Sequence, residues 1–279
     1  MKILFVTLLI SNISFANTKS NWVPEYQQKN KIKENSIKVL KASPNKVVTS
    51  DEKKTYMPTN ALDAMYLKAS TSKEFLKSLK EKTLAEKQNA VPILTKVMKS
   101  SNYPDENRWI ATYMLGRIMG KKAAPYIAKF SQHPNWMLRL ASLKVLLHLD
   151  QKQYKGIYAN LLEDKSLIVR HQALQNIKEF NLSELAPYVW KMLYNKENYL
   201  GTVGNQKRSN IIKDAIKVIG DLGFEKAKKP MLEMISRKKY KDIFSELDYS
   251  LSKITSKNSP SGDQAIKKHF WNRYKVSQL

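Results

Sequence analysis

The sequence predicts an all-α fold, a solenoid of about five to six stacked helical hairpins. Three observations carry the prediction. From about residue 61 onward, apolar residues recur at spacings of three and four, without the sustained alternation of a strand. Glycine is scarce, with eight in 279 residues, and Pro92, Pro125, Pro187 and Pro230 each sit just inside an apolar run, where a helix's first turn accepts proline. The third is repetition: Arg108, Arg139 and Arg170 are separated by 31 residues and again by 31.

The chain opens with MKILFVTLLISNISFA, which combines Lys2, a short apolar run over residues 3–10, and Ser14 and Ala16 at the −3 and −1 places of a small-residue cleavage site. Residues 1–16 therefore read as a secretory signal peptide cut after Ala16. The expected location is periplasmic or secreted, in a bacterium. No stretch approaches the ~20 continuous apolar residues of a transmembrane helix. There is no cysteine, so disulfides, thiolate metal sites and thiol nucleophiles are excluded, and a hydrophobic core alone must hold the fold. Residues 17–60 are polar and lysine-rich, the composition of an extended or disordered arm.

Residues 61–256 carry the repeats. DENRWIATYML (105–115), WMLRLASLKVL (136–146) and LIVRHQALQNI (167–177) align on their arginines. Three residues after each arginine stands a small residue, Ala111, Ser142 or Ala173. Seven after stands an aliphatic one, Leu115, Leu146 or Ile177. Pro125, Gly156 and Pro187 follow, each opening a second apolar helix. A fourth copy holds Ala215, Ile219 and Pro230, and a degraded fifth covers 244–254 with a partner helix from Asp263. A poorer leading copy includes AVPILTKVM. A two-helix unit cannot bury its apolar stripe alone and must stack on its neighbours. Arg108, Arg139 and Arg170 then form a structural ladder. Their stems line the seam, and their guanidinium groups bond turn carbonyls or side chains of the adjacent repeat. Asp105, Asn135 and Ser166 are expected N-caps.

IVRHQAL with LAPYVWKML, and NRWIATYML with AAPYIAKF, resemble HEAT-like repeats of the short kind found in phycobilin lyases. The likeness covers roughly 61–256 and is clearest over 108–193. It implies a right-handed α-solenoid, and almost nothing about chemistry, since such repeats serve scaffolds, enzyme-associated subunits and DNA-repair glycosylases alike. The fourth copy departs from the pattern: Ala173 and Ala215 are 42 residues apart, and the extra length falls in KENYLGTVGNQKRSN, residues 196–210. A loop inserted into a regular repeat is a candidate binding element, which brings in Lys207 and Arg208. Gly201 and Gly204 lack the spacing of a phosphate loop.

In HEAT-like units the second helices line the concave face. Counted from each Pro or Gly, positions +2 and +5 are apolar and expected in the core, so +1 and +4 are expected to face outward. They hold Tyr126 and Lys129, Ile157 and Asn160, Tyr188 and Lys191, and Met231 and Met234. Trp190 lies beside them, and Lys228 and Lys229 extend a basic region. Aromatic side chains mixed with cations suit an acidic protein, a glycan or a nucleic acid. The tail, 257–279, reads as a capping helix with Ile266, Phe270 and Tyr274 on one stripe.

The chain carries 49 Lys+Arg against 24 Asp+Glu, a net charge of +25, yet only seven of the basic residues are arginine. Base reading and bidentate phosphate grips favour arginine, so lysine richness points to diffuse attraction instead. His133, His148, His171 and His269 show no metal spacing, and no G-x-S-x-G elbow occurs. No cofactor and no metal are expected. The resulting expectation is an exported, non-catalytic binding module or scaffold that engages an envelope protein through its concave face. The alternatives are a binder of polyanions (an acidic envelope polymer or an anionic lipid surface) and a nucleic-acid binder akin to the HEAT-like DNA glycosylases. The last would stack Trp109, Trp136 and Trp190 on bases; export and the shortage of arginine make nucleic acid the weaker partner.

Overall fold

The computed structural model describes residues 56–200 and 207–277. The expected signal peptide and nearly all of the arm lie outside the described residues. Among the described residues, a short helix α1 (Ala61–Leu67) precedes six hairpins. They are α2 (Lys73–Ala85) with α3 (Val91–Lys99), α4 (Asp105–Met119) with α5 (Ala124–Ala128), and α6 (Trp136–His148) with α7 (Lys155–Leu161). Then follow α8 (Leu167–Glu179) with α9 (Ala186–Lys191), α10 (Asn210–Asp221) with α11 (Lys228–Ile235), and α12 (Phe244–Thr255) with α13 (Gln264–Val276).

The first helices stack in chain order, α4 on α6, α6 on α8, α8 on α10 and α10 on α12. Each second helix lies against the first helix of the next hairpin: α3 on α4, α5 on α6, α7 on α8, α9 on α10 and α11 on α12. The result is an all-α solenoid whose hydrophobic core runs unbroken from Leu62 to Trp271. Ala111, Ser142, Ala173 and Ala215 are fully buried, as are the aliphatic positions Leu146, Ile177 and Ile219. Small residues matter because the helices approach closely. A Cβ added to Gly220 would stand 2.6 Å from Ser250 Cα, well inside contact distance. At the N-terminal end, α1 is tied down by Asp63, whose buried carboxylate accepts from Tyr103 Oη at 2.5 Å and Lys96 Nζ at 3.0 Å.

Each first helix through α12 ends on a residue in the left-handed region. These are Lys87, Gly120, Asp150, Asn181, Gly223 and Ser256, with φ between 50 and 63°. In α6, α8 and α10 the reversal completes a Schellman closure. The amides of Gln151, Leu182 and Phe224 bond the carbonyls of Leu146, Ile177 and Ile219 at 3.0, 3.0 and 3.2 Å. The repeating aliphatic residue thus packs the core with its side chain and closes the helix with its carbonyl.

The three arginines bond turns on both sides of their own helix. Arg108 donates through Nε and Nη2 to Met98 O and through Nη1 to Asp105, and its Nη2 lies 3.0 Å from His133 Nε2 in the next turn. Arg139 donates through Nη1 to the carbonyls of His133 and Pro134, both at 2.8 Å. It also grips Asp164 in the following turn with two bonds of 2.6 and 2.7 Å. Arg170 donates to Asp164 O and Lys165 O behind it, and to Asn198 Oδ1 and Glu197 O ahead. Burial holds its guanidinium below the usual range, an effect opposed by Glu197 and Asp164. In α10 the corresponding position is Ile212, buried and apolar. The rung is supplied from the insertion instead. Arg208 donates to Asp242 Oδ1 at 2.7 Å and Lys239 O at 3.3 Å, its guanidinium 5.0 Å from the Tyr240 ring centre.

Three details differ from the sequence expectation. Asp105 is the first residue of α4 rather than its cap, because Pro104 precedes it; its carboxylate takes Arg108 and Asn135. Ser166 is the N-cap of α8 but makes no side-chain capping bond; its amide donates to Asp164 Oδ1 at 2.8 Å. Asn135 does cap α6, accepting from the Met137 amide at 2.8 Å. On the tail helix the buried residue is Trp271, not the Ile266 stripe: Ile266 is 49% exposed. The reason is Asp248, which accepts from Trp271 Nε1 at 2.7 Å and Lys267 Nζ at 2.8 Å and so rotates those positions inward. Burial pushes the Asp248 carboxyl up, but the bonds from Lys267, Trp271 and Ser259 outweigh it and hold the group below the usual carboxylate range.

Two outcomes follow. Arg139→Leu leaves the Asp164 carboxylate, 5% exposed, without its counter-charge and costs roughly 3–5 kcal/mol. Adding Asp164→Asn keeps an acceptor for Ser166 and restores part of that loss, as read from denaturant midpoints. Conversely, Lys87→Gly and Ser256→Gly each relieve left-handed strain of about 1 kcal/mol, raising Tm in calorimetry by about 2–4 °C apiece.

Candidate binding face

The second helices are short, five to eight residues among the central hairpins, so each presents one narrow outward row. Ile127, Phe130, Tyr158, Leu161, Val189, Met192, Leu232 and Ile235 are all buried, which fixes the row's register. On α5, Tyr126 is half-buried, its Oη buried without a hydrogen-bond partner among the described residues, and Lys129, the residue that follows the helix, is exposed. The Tyr126 ring lies 5.4 Å from Lys99 Nζ and 5.8 Å from the Phe130 ring. On α7, Asn160 is exposed and Ile157 half-buried. On α9, Tyr188 is 39% exposed, Lys191 is exposed and Trp190 is half-buried, with its ring 6.3 Å from Tyr194. Lys191 Nζ pairs with Glu163 at 2.7 Å across to the neighbouring unit. Both partners are largely solvated, so the pair contributes little to stability.

The row stops at α11. Met231 and Met234 are buried, against the expectation that they face outward. The count from proline holds, since Leu232 and Ile235 are buried as well, so α11 buries two sides rather than one. Helix α11 is also covered by both α12 and α13. Lys228 is half-buried and pairs with Glu225 at 3.1 Å; Lys229 is exposed. The insertion forms a two-residue ribbon, β1 (Tyr199–Leu200) antiparallel to β2 (Lys207–Arg208). Its base is pinned: buried Asn198 accepts from Arg170, donates to Met192 O, and its carbonyl takes the Ser209 hydroxyl. Lys207 is half-buried on the ribbon. Arg208 belongs to the ladder rather than to an open face, its side chain being 5% exposed.

Trp109, Trp136 and Trp190 do not share one surface. Trp109 stacks on Tyr113 along the flank of α4, Trp136 opens α6, and Trp190 sits on α9. Nor do the histidines gather. His171 meets Asp214 on α10, His133 faces Arg108, and among the described residues no three His, Asp or Glu side chains could hold a metal together. The feature that counting from proline overlooked is the row of exposed apolar residues at first-helix starts. Trp136 and Leu167 are 31 residues apart, each three before a ladder arginine.

No family model matches the chain, and no curated protein matches it. Among solved structures it is similar to the complex of CpcE and CpcF of phycocyanin lyase from Nostoc sp. PCC7120, at 14% identity and a TM-score of 0.41, over 84% of this chain and 100% of that one. The architecture rests on the helix packing itself, which defines an all-α solenoid of stacked helical hairpins.

His133 gives this region a pH dependence. Burial, then the Arg108 charge, hold its imidazole below the ordinary 6.5. The unfolded chain therefore takes up a proton that the folded chain refuses. Stability is complete above pH 6.5 and declines as pH falls from there toward the folded-state value. In melting curves between neutral and mildly acidic pH, His133→Gln shows a shallower fall in Tm than the parent.

Proposed function

We propose that the chain is an exported, non-catalytic scaffold that engages another envelope protein through the outward row of its second helices. The observation that carries this reading is one register repeated over three consecutive hairpins. Tyr126, Ile157 and Tyr188 stand at matching positions of α5, α7 and α9, and Lys129, Asn160 and Lys191 follow each by three residues, Lys129 just beyond the end of α5. Their backbones are held from behind by the first helix of the following unit. Rigid presentation lowers the ordering cost of binding, and tyrosine supplies amphipathic contact area with few rotors. The leader-like composition of residues 1–16 supports the exported part of the reading.

Site-specific photocrosslinking tests the reading. A photoreactive residue at Tyr188 or Asn160 yields a discrete protein adduct in envelope preparations, and one at Lys144, on the flank of α6, does not. Lys129→Glu with Tyr188→Ala weakens binding of the recovered partner by about tenfold or more. Equal adducts from both faces, or none from α7 and α9, count against it.

A further inference from the structure

We infer that the edge of the solenoid along which the arginine ladder runs is a docking surface for an anionic lipid bilayer. Each rung joins one turn to the next: Arg108 reaches His133, Arg139 reaches Asp164, Arg170 reaches Asn198, and Arg208 reaches Asp242. The turns that lead into α4, α6, α8, α10 and α12 are therefore aligned on one edge, roughly 10 Å apart, as packed helices require.

That edge concentrates exposed apolar side chains. Nine large hydrophobic residues are exposed among the described residues, and four of them lie here: Trp136 at 39%, Leu167 at 40%, Ile168 at 46% and Leu200 at 48%. Trp136 and Leu167 are the first residues of α6 and α8, and Leu200 is on β1. None is needed by the core, which closes beneath them through Leu138 and Val169. Cations flank them. Lys165 and Lys196 are exposed on the adjoining turns, and Lys238, Lys239 and Lys241 are exposed on the turn into α12. The carboxylates that could neutralise this stretch are engaged: Asp164 by Arg139, Asp242 by Arg208 and Glu163 by Lys191. Glu197 remains as an exposed acid amid them, and Glu106 as another at the start of α4.

Sparse apolar tips one turn wide, set among lysines, suit a flat and laterally fluid anionic surface. The tips enter the headgroup–acyl boundary, tryptophan favours that depth, and lysine stems reach over it to the headgroups. A protein partner would instead call for a contiguous apolar centre with charges confined to its rim. Among the described residues no helix is long and apolar enough to cross a membrane, so attachment at this edge is peripheral.

Vesicle co-sedimentation of the full chain tests the inference, with phosphatidylcholine vesicles compared with vesicles of equal parts phosphatidylcholine and phosphatidylglycerol. Binding is expected to the anionic vesicles alone and to weaken with salt. Each near-surface lysine multiplies the partition by about fivefold. The variant K238E/K239E/K241E therefore loses about a hundredfold or more. W136S/I168S loses about tenfold at every salt concentration, with L167S/L200S as the second pair should the first fail to melt like the parent. Ile266→Ser, on α13, changes nothing. Vesicle binding that survives both edge variants assigns it to another part of the chain and overturns the inference. So does equal binding to neutral vesicles, or binding to soluble polyphosphate with no binding to vesicles.

Discussion

Guanidinium groups bridging consecutive turns are the interaction on which the stack depends. The second helices are so short that much of each is terminus, and a terminus leaves carbonyls without intrahelical partners. Buried carbonyls must be satisfied or they cost free energy. Met98, in the last turn of α3, and His133, Pro134, Asp164 and Lys165, in the turns that follow α5 and α7, offer carbonyls, and Arg108, Arg139 and Arg170 donate to them. The same head groups then reach the following turn. One planar five-donor group thus ends one helix and locates the next. Lysine, with a single ammonium, could not bond two turns at once in this geometry.

This explains what happens where the period breaks. The eleven extra residues before α10 move the ladder position onto Ile212, which joins the core, and the stack would lose a rung. Arg208, four residues earlier and on β2, restores it by bonding Lys239 O and Asp242. The ribbon's base is accordingly structural. Asn198 accepts from the preceding rung, and Ser209 bonds back to Asn198. An insertion that looked like a free recognition loop is, at its ends, a splice that keeps the ladder continuous.

The period, the arginines and the small residues were legible because they report packing, which repeats whenever the interface repeats. The register of α5, α7 and α9 was legible for the same reason. The misses came from places where an outside partner changes the rule. Counting from Pro230 places Leu232 and Ile235 inward correctly, yet Met231 and Met234 are buried too, because α11 is covered on a second side by α13. The Ile266, Phe270 and Tyr274 stripe has sound helical spacing, yet the inward position is Trp271, chosen by a hydrogen bond to Asp248 that no periodicity reveals. The helix ends were hidden because only Gly120 and Gly223 are glycines. Lys87, Asp150, Asn181 and Ser256 adopt the same left-handed backbone under residue types that do not announce it.

The division of labour between the two cations has a consequence for function. Four of the seven arginines are ladder rungs, placed where planar, multidentate donors meet desolvated turns. Lysines dominate the solvated surface, where hydration favours a compact ammonium and little geometry is demanded. The charge that would attract a polyanionic surface and the charge that holds the stack together are therefore carried by different residues. Neutralising Lys238, Lys239 and Lys241 removes no rung, since Lys239 contributes only its carbonyl to Arg208. Neutralising Arg139 removes a rung and little surface charge, because its partner Asp164 already cancels it. Surface electrostatics can thus be varied while the spacing of the turns stays fixed. In a solenoid this matters, because the spacing of the turns sets where every outward side chain stands.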